Sequence, residues 1–241
     1  MNNTEYIKKE SKIIINILKT IGLIFLLLIW NYIPLSILKR LFNIDYNSFS
    51  IMYKVIYLLC CDLVLILFLI LVYRKTLIKD FKSFFNKKFP SNIGKSLTYW
   101  AVGLTIMITS NILITVFSPN SVATNEEAVR KLIDTAPLFM LFELSIYAPI
   151  TEELIFRKSI KDIINNKYIY ILLSGIIFGG MHMLSSFSNP IDLLYIIPYS
   201  TLGITFASLY HKTDNIFSTI TVHALHNTLT LVLYLISTIL V

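Results

Sequence analysis

The stretch APITEELIFRK, from Ala148 to Lys158, places two adjacent acids at the end of an apolar run. These acids are Glu152 and Glu153, and Arg157 follows Glu153 by four residues, which is one turn of a helix. If the run spans a membrane, ionised side chains at its margin are costly and are typically paired or functional. The interpretation of the whole chain therefore depends on whether its apolar runs are membrane helices.

The composition indicates an integral membrane protein. Of the 241 residues, 56% are hydrophobic and only 15% are charged, which leaves too little polar surface for a soluble domain of this length. The abundant Asn, Lys and Ile are typical of an AT-rich bacterial genome, so we expect a bacterial cell membrane. The first apolar run follows Lys8, Lys9 and Lys12 and has no small-residue cleavage site, which predicts a retained first span rather than a signal peptide.

Runs long enough to cross a bilayer recur along the chain. A transmembrane helix needs about 20 mostly apolar residues. The stretches that meet this length are 13–36, 51–73, 97–117, 136–156, 168–187, 191–210 and 215–240. We therefore predict an all-α, polytopic transmembrane helix bundle of about seven to eight helices.

Basic residues indicate how the bundle is oriented. The segment Arg74–Lys95 carries seven basic residues and one acid between two predicted spans, and short basic loops stay in the cytoplasm. We expect the N-terminus on the same side, whereas the loop 118–135 and the turn at Asn189-Pro190 would lie outside. Phenylalanines interleaved in the basic segment favour contact with the lipid bilayer, and no nucleic-acid partner is expected.

Ionisable and polar side chains within the apolar runs concentrate in the last four spans. His182 follows Phe178 by four residues and His223 precedes Asn227 by four, so each pair lies on one helix face. His226 borders the second of these faces. Each such residue alone is commonly structural, but their joint placement indicates a functional site within the last four spans.

These residue types fit hydrolysis of an acyl bond by activated water. A carboxylate beside an imidazole can take a proton from water, and a second imidazole with an amide can donate to the oxyanion that forms. A metal is the alternative, because two imidazoles and a carboxylate would bind Zn²⁺ with one position open for water. The metal ligands would then be Glu152, His182 and His223. The residues alone leave both mechanisms open.

Three motifs in this order resemble those of the CPBP family, which includes type II CAAX prenyl endopeptidases and bacterial bacteriocin-processing and immunity proteins. The motif E-E-x-x-x-R corresponds to Glu152–Arg157, F-x-x-x-H to Phe178–His182, and H-x-x-x-N to His223–Asn227. Lys158 departs from the glycine that many relatives have after the arginine. The resemblance covers about residues 136–230, and three ordered motifs on hydrophobic helices are far more specific than one.

The resemblance implies an intramembrane endopeptidase and assigns roles to the motif residues. Glu152 with His182 would activate the water, and His223 with Asn227 would stabilise the oxyanion. Residues that support the site structurally would be Glu153, Arg157, Phe178 and His226. The site would open toward the cytoplasmic side. On this division, residues 1–135 form N-terminal transmembrane helices and the basic loop, and residues 136–241 form the catalytic core.

Two kinds of function remain compatible with the sequence. As an enzyme, the protein would cleave a membrane-associated peptide, either unmodified or prenylated or otherwise lipidated, in peptide-signal processing or bacteriocin self-immunity. The alternative is a non-catalytic immunity or scaffold protein that binds a bacteriocin or a membrane partner. In that case the polar residues would serve only to join helices.

Overall fold

The computed structural model describes residues 3–43, 45–118, 122–184 and 192–240, which form helices and short connections without a β-strand. The predicted all-α class is therefore confirmed. The first helices are α1 Asn3–Ile29, α2 Tyr32–Phe42, α3 Ile51–Phe84, α4 Phe89–Phe117 and α5 Thr124–Thr135. They are followed by α6 Pro137–Phe142, α7 Ala148–Glu152, α8 Lys167–His182, α9 Ile196–Thr213 and α10 Ile216–Leu240. The predicted turn at Asn189-Pro190 lies outside the described residues.

Long apolar helices account for most of the predicted spans. Those in the described part of the chain that could cross a membrane are Glu10–Ile29, Ile51–Phe84, Phe89–Phe117, Asp192–Thr213 and Ile216–Leu240. The predicted fourth and fifth spans, which carry two of the three motifs, are different. The fourth is a helix of changing pitch, and the fifth is α8, whose 16 residues make it only about 24 Å long. It is thus shorter than the roughly 30 Å hydrocarbon core.

Residues 137–159 form one continuous helix, which we call the composite helix because its pitch changes along its length. After α6 it becomes π-helical at Glu143–Tyr147, returns to α-helix in α7, and is π-helical again at Glu153–Ser159. A π-helical turn has an extra residue compared with an α-helical turn, so it changes the direction in which the following side chains point. Such turns occur frequently at functional sites.

The basic segment is helical rather than a loop, so the sequence interpretation was wrong on this point. α3 extends to Phe84 and α4 begins at Phe89, which leaves only residues 85–88 as the connection. Lysine and arginine are good helix formers, and a helix can continue beyond the apolar core into water. We call the end of the bundle that contains this connection the basic end.

Polar contacts hold the helices together at the basic end. Asp80 of α3 accepts a hydrogen bond at 2.9 Å from the N–H of Ile216, the first residue of α10. Lys79 and Lys161 both form ion pairs with Asp214, in the turn between α9 and α10. Although its partial burial alone would raise it, the pKa of the Asp214 carboxyl is held below its usual range by these two ammonium groups. α3, α10 and the segment that directly follows the composite helix are therefore joined at this end.

Glycines allow α8 and α9 to pack with their backbones in contact. A Cβ added to Gly175 would come within 2.7 Å of the backbone nitrogen of Ile204. A Cβ added to Gly179 would come within 2.8 Å of the backbone nitrogen of Ser200. Close approach through small residues is a common way for membrane helices to associate. This contact fixes the position of α8, which ends at His182.

Gly175→Ala is accordingly expected to lower the unfolding temperature of the detergent-solubilised protein. The added methyl group would collide with main-chain atoms of α9, and overpacking of this kind costs about 1–3 kcal/mol. Gly180→Ala is the matched control, because a Cβ there meets nothing within 4 Å and alanine is the better helix former. Thermal unfolding followed by circular dichroism measures both variants. Equal losses in the two would contradict the proposed contact between the helices.

Candidate active site

A cavity of about 820 Å³ brings the three motifs together inside the bundle. The motif residues that line it are Glu152, Phe178, His182, His223, His226 and Asn227. Glu153 and Arg157 lie directly behind this wall and are completely buried. Residues from the first half, including Asp62 of α3 and Met107 of α4, complete the lining. The helices before residue 136 therefore contribute to the same space as the motif helices.

The cavity opens at the end of the bundle opposite the basic end. Its exposed lining residues include Glu126 and Arg130 of α5 and Leu233 of α10. α5 lies at this opposite end because α4 starts at the basic end and runs across the bundle before it. The sequence predicted an opening on the basic, cytoplasmic side. The structure differs: on that side of the acid pair Phe156 and Arg157 are fully buried, and neither lines the cavity.

Glu153 connects the first motif with the third. Its Oε2 lies 3.2 Å from Nε of Arg157, and its Oε1 lies 2.9 Å from Nδ1 of His223. A carboxylate only accepts hydrogen bonds, so Nδ1 of His223 must carry the proton that it donates. This fixes the orientation of the His223 ring and leaves Nε2 for the cavity. The contact with Arg157 follows from the spacing of four residues, whereas the contact with His223 is not visible in the sequence.

The Arg157 guanidinium connects the first motif with the second. Its central carbon lies 4.2 Å from the centre of the Phe178 ring and 5.6 Å from that of Phe206. A cation over an aromatic face is stabilised by the ring quadrupole, and more strongly where water is excluded. Arg157 and Glu153 both have side chains with no exposed surface. The pair is therefore a buried ion pair that depends on its aromatic surroundings and on His223.

The imidazole nearest to Glu152 is that of His223. Nε2 of His223 lies 3.7 Å from Oε2 of Glu152, while His182 lies beyond ion-pair distance from this carboxylate. Nδ1 of His182 donates to the Phe178 carbonyl at 3.0 Å, since a carbonyl can only accept, and the ring stacks on Tyr199. Nε2 of a neutral His182 is therefore an acceptor for water. The predicted joint action of Glu152 and His182 on one water stays a prediction.

Asn227 satisfies a backbone carbonyl that the composite helix leaves without a partner. The N–H of Ala148 bonds to the carbonyl of Glu143 in π-helical fashion. The next carbonyl, of Leu144, would need an N–H from Pro149, which has none. The Asn227 amide donates to the Leu144 carbonyl at 3.0 Å instead. Because an amide nitrogen has two N–H groups, one remains for the predicted role in stabilising an oxyanion.

His226 lies on the cavity wall next to the first half of the chain. Its Nδ1 is 3.5 Å from Nε1 of Trp100 on α4, which is at the limit of a hydrogen bond. The side chain is buried, with 8% of its surface exposed. Its predicted supporting role stays a prediction, and the contact identifies α4 as the helix it would support.

Glu143 is a cavity residue that the sequence analysis missed. It lies nine residues before Glu152, a separation that puts two side chains on opposite faces of a regular α-helix. The π-helical turn at Glu143–Tyr147 changes the rotation, and both acids line the cavity. The available signal was an acid inside an apolar run, followed in the same helix by Pro149.

The proposed zinc ligands do not form a metal site in this arrangement. Among the described residues, no group of three or more histidine, cysteine, aspartate or glutamate side chains is placed to hold a metal ion. Glu152, His182 and His223 line one cavity without converging on a single point. The residues therefore do not fit Zn²⁺ here, and the metal mechanism stays a prediction for a chelation experiment.

The three motifs that resemble those of CAAX-type intramembrane proteases, E-E-x-x-x-R, F-x-x-x-H and H-x-x-x-N, meet at one cavity of this helix bundle. The family model described as type II CAAX prenyl endopeptidase Rce1-like matches residues 134–229. The chain is 31% identical over 192 residues to "Putative membrane peptidase YdiL" of Bacillus subtilis (strain 168), covering 76% of this chain and 72% of that protein. The chain thus belongs to the Rce1-like, or CPBP, family of membrane proteases.

More distant relatives come from Lactococcus lactis subsp. lactis (strain IL1403). The chain is 26% identical over 144 residues to UPF0177 protein YvdC, covering 59% of this chain and 53% of that protein. It is 27% identical over 132 residues to UPF0177 protein YxdF, covering 52% and 71% respectively. No solved structure matches the chain.

Proposed function

We propose that this protein is an intramembrane endopeptidase that hydrolyses a peptide bond with a water molecule activated by Glu152. The observation that carries this proposal is the series of contacts from Glu153 through His223 to Glu152, at 2.9 and 3.7 Å. A carboxylate that orients an imidazole, which in turn faces a second carboxylate in the cavity, is suited to proton transfer. Membership of a protease family supports the same reaction type.

The reaction needs one proton to move from water to the leaving amine. Glu152 takes a proton from a water that Nε2 of His182 orients, and the resulting hydroxide adds to the carbonyl carbon. The proton passes from Glu152 to Nε2 of His223, whose positive charge Glu153 compensates. His223 and the second N–H of Asn227 then donate to the oxyanion. When the carbonyl re-forms and the C–N bond breaks, His223 gives its proton to the amine nitrogen.

The side from which substrate enters follows from the position of the opening. The positive-inside rule puts Arg74–Lys95 and the N-terminus in the cytoplasm, so the opening beside α5 faces the outside of a bacterial cell membrane. A membrane-associated peptide on that side is the substrate class that this arrangement favours. Such a substrate fits peptide-signal processing or bacteriocin self-immunity, and a prenylated or lipidated peptide is the alternative within the same class.

Cleavage by the purified, detergent-solubilised protein tests the proposal. We expect the wild type to cleave at least one member of a panel of short membrane-associated peptides, including a prenylated one, as followed by mass spectrometry. Cleavage should persist in the presence of a zinc chelator, since Glu152 and His223 supply the proton transfers and His182 orients the water. Loss of cleavage on chelation and its return with added Zn²⁺ would contradict this mechanism. A folded protein that binds peptides of the panel without cleaving any would favour the immunity or scaffold alternative.

A further inference from the structure

The cavity contains a pair of acids that the proposed mechanism does not use. Asp62 of α3 and Glu143 of the composite helix both line the cavity, and α3 packs against the π-helical turn that contains Glu143. Asp62 lies in the middle of a membrane-spanning helix, and only 1% of its surface is exposed. An acid in such a position is costly unless a partner or a ligand compensates its charge.

Oxygen atoms without hydrogen-bond partners lie in the same cavity lining as this acid pair, and two of them belong to it. Within the described residues, the buried and unpartnered oxygens that belong to cavity-lining side chains are Oδ1 of Asn31, Oδ1 of Asp62, Oε2 of Glu143 and Oε2 of Glu152. When the acids are ionised, all four of these atoms are acceptors, because carboxylate and amide oxygens cannot donate. A buried acceptor without a hydrogen bond destabilises the protein. Such an acceptor in a native structure indicates a donor that the protein itself does not supply. The oxygens of Asp62 and Glu143, which the mechanism does not use, would accept hydrogen bonds from a donor-rich group in the cavity.

The arginine side chains near the cavity form ion pairs with acids other than Asp62 and Glu143. Arg130 is at the opening and pairs with Glu126 on its own helix. Arg157 is behind the wall and pairs with Glu153. No Lys, Arg or His in the described ranges forms an ion pair with Asp62 or Glu143, and the other charge that acts on Glu143 is the negative one of Glu152. The protein itself therefore does not supply the cation that these acids would bind.

We infer that Asp62 and Glu143 form a subsite for a cationic group of the peptide substrate, either the side chain of a lysine or arginine or an N-terminal ammonium. This inference rests on the proposed function, because it assumes that a peptide enters the cavity. An ammonium or guanidinium group offers three or more N–H donors to the unpartnered oxygens of Asp62 and Glu143. The apolar neighbours Leu58, Met107 and Leu144 line the same cavity and would pack on the aliphatic part of such a side chain.

An organic cation fits this wall better than a metal ion does. Calcium and magnesium need about six oxygen ligands at short, regular distances. In the described part of the chain no three acidic or imidazole side chains converge in that way. Donors of an ammonium group reach acceptors that are spread over hydrogen-bonding distances, which suits Asp62 and Glu143 on two different helices.

Binding of matched peptides to the full-length, solubilised protein tests the subsite without requiring cleavage. The probes are three fluorescent Leu/Ala peptides, compared by anisotropy. The first has one central lysine and blocked ends, the second is its acetyl-lysine twin, and the third has the acetyl-lysine and a free N-terminus. We expect the wild type to bind the first or the third about tenfold more tightly than the neutral twin. Tighter binding of the first peptide would identify a lysine side chain as the bound group, and tighter binding of the third would identify an N-terminal ammonium.

Variants locate the preference within the cavity. Asp62→Asn and Glu143→Gln should each reduce it to about twofold or less, because the amide presents a donor and carries no charge. Glu127→Gln is the matched control, since this acid is exposed and pairs with Lys131 outside the cavity, and it should keep the full preference. Equal binding of all three peptides by the wild type, absence of binding, or a preference that survives in both cavity variants would overturn the inference. The wild-type comparison decides even if a variant does not fold.

The two proposals can fail separately. A protein that binds the lysine peptide selectively but cleaves nothing retains the subsite and contradicts the endopeptidase. A protein that cleaves peptides of the panel but binds charged and neutral twins equally retains the endopeptidase and contradicts the subsite.

Discussion

Glu152→Gln is expected to reduce cleavage by about 10³-fold or more while the protein still inserts, accumulates and unfolds at nearly the wild-type temperature. The glutamine amide has almost the same shape but cannot take a proton from water, and loss of a general base typically costs 10²–10⁴-fold. The Glu152 side chain keeps 19% of its surface exposed, toward the cavity, so its charge contributes little to folding. His223 remains oriented by Glu153, since that contact is untouched by the substitution.

The measurement is the initial rate of cleavage, by mass spectrometry, of whichever peptide the wild type cleaves. Glu127→Gln makes the same chemical change on the exposed face of α5, where the Lys131 ammonium holds the pKa of the Glu127 carboxyl below its usual range. This control should retain wild-type activity. Full activity of Glu152→Gln would contradict the assignment of the general base. Loss of heat stability in that variant would indicate that the charge of Glu152 supports the fold rather than the chemistry.

Arg157→Met is expected to destabilise the protein by about 3–5 kcal/mol, the typical effect of removing one partner of a buried ion pair. Both side chains of the pair Arg157 and Glu153 have no exposed surface. The variant would leave the Glu153 carboxylate in the bundle interior without its main counter-charge. It would also remove the cation from the face of the Phe178 ring. The unfolding temperature in detergent should fall strongly, and less protein should accumulate in the membrane.

Lys158→Met is the matched control for this prediction. Lys158 is the next residue along the chain and pairs with Asp162, but both side chains are partly exposed, at 16% and 25%. An ion pair that solvent screens contributes about 1 kcal/mol or less. Adding Glu153→Gln to Arg157→Met should recover part of the lost stability, because the unpaired buried charge is then removed as well. Similar losses in the two single variants would contradict the special role of the buried pair.

The sequence was sufficient for the fold class and for the meeting of the three motifs. Five of the predicted apolar runs correspond, in the described part of the chain, to helices long and apolar enough to cross a membrane, as expected because backbone hydrogen bonds must be satisfied inside lipid. Phe178 and His182 are four residues apart, and so are His223 and Asn227. In a regular α-helix this spacing puts both members of each pair on the same face. These residues do line one cavity in the structure.

What the sequence did not reveal depends on local departures from regular helix and on contacts between helices. Glu143 was missed because its separation from Glu152 indicates the opposite face in an α-helix, and only the π-helical turn turns both toward the cavity. The hydrogen bond from Asn227 to the Leu144 carbonyl arises from the same turn. The contact between Glu153 and His223 joins residues that are 70 positions apart. Periodicity within one helix cannot predict such a contact between two helices.

The first π-helical turn of the composite helix also bears on how the cavity wall can vary. Because a π-helical turn holds one residue more than an α-helical turn, the segment Glu143–Tyr147 accommodates an extra residue within one continuous helix. An added residue there brings a new side chain to the cavity and leaves the E-E-x-x-x-R motif downstream facing its old partners. Length variation at this point would thus allow the cavity wall to change while the motif that follows stays in place.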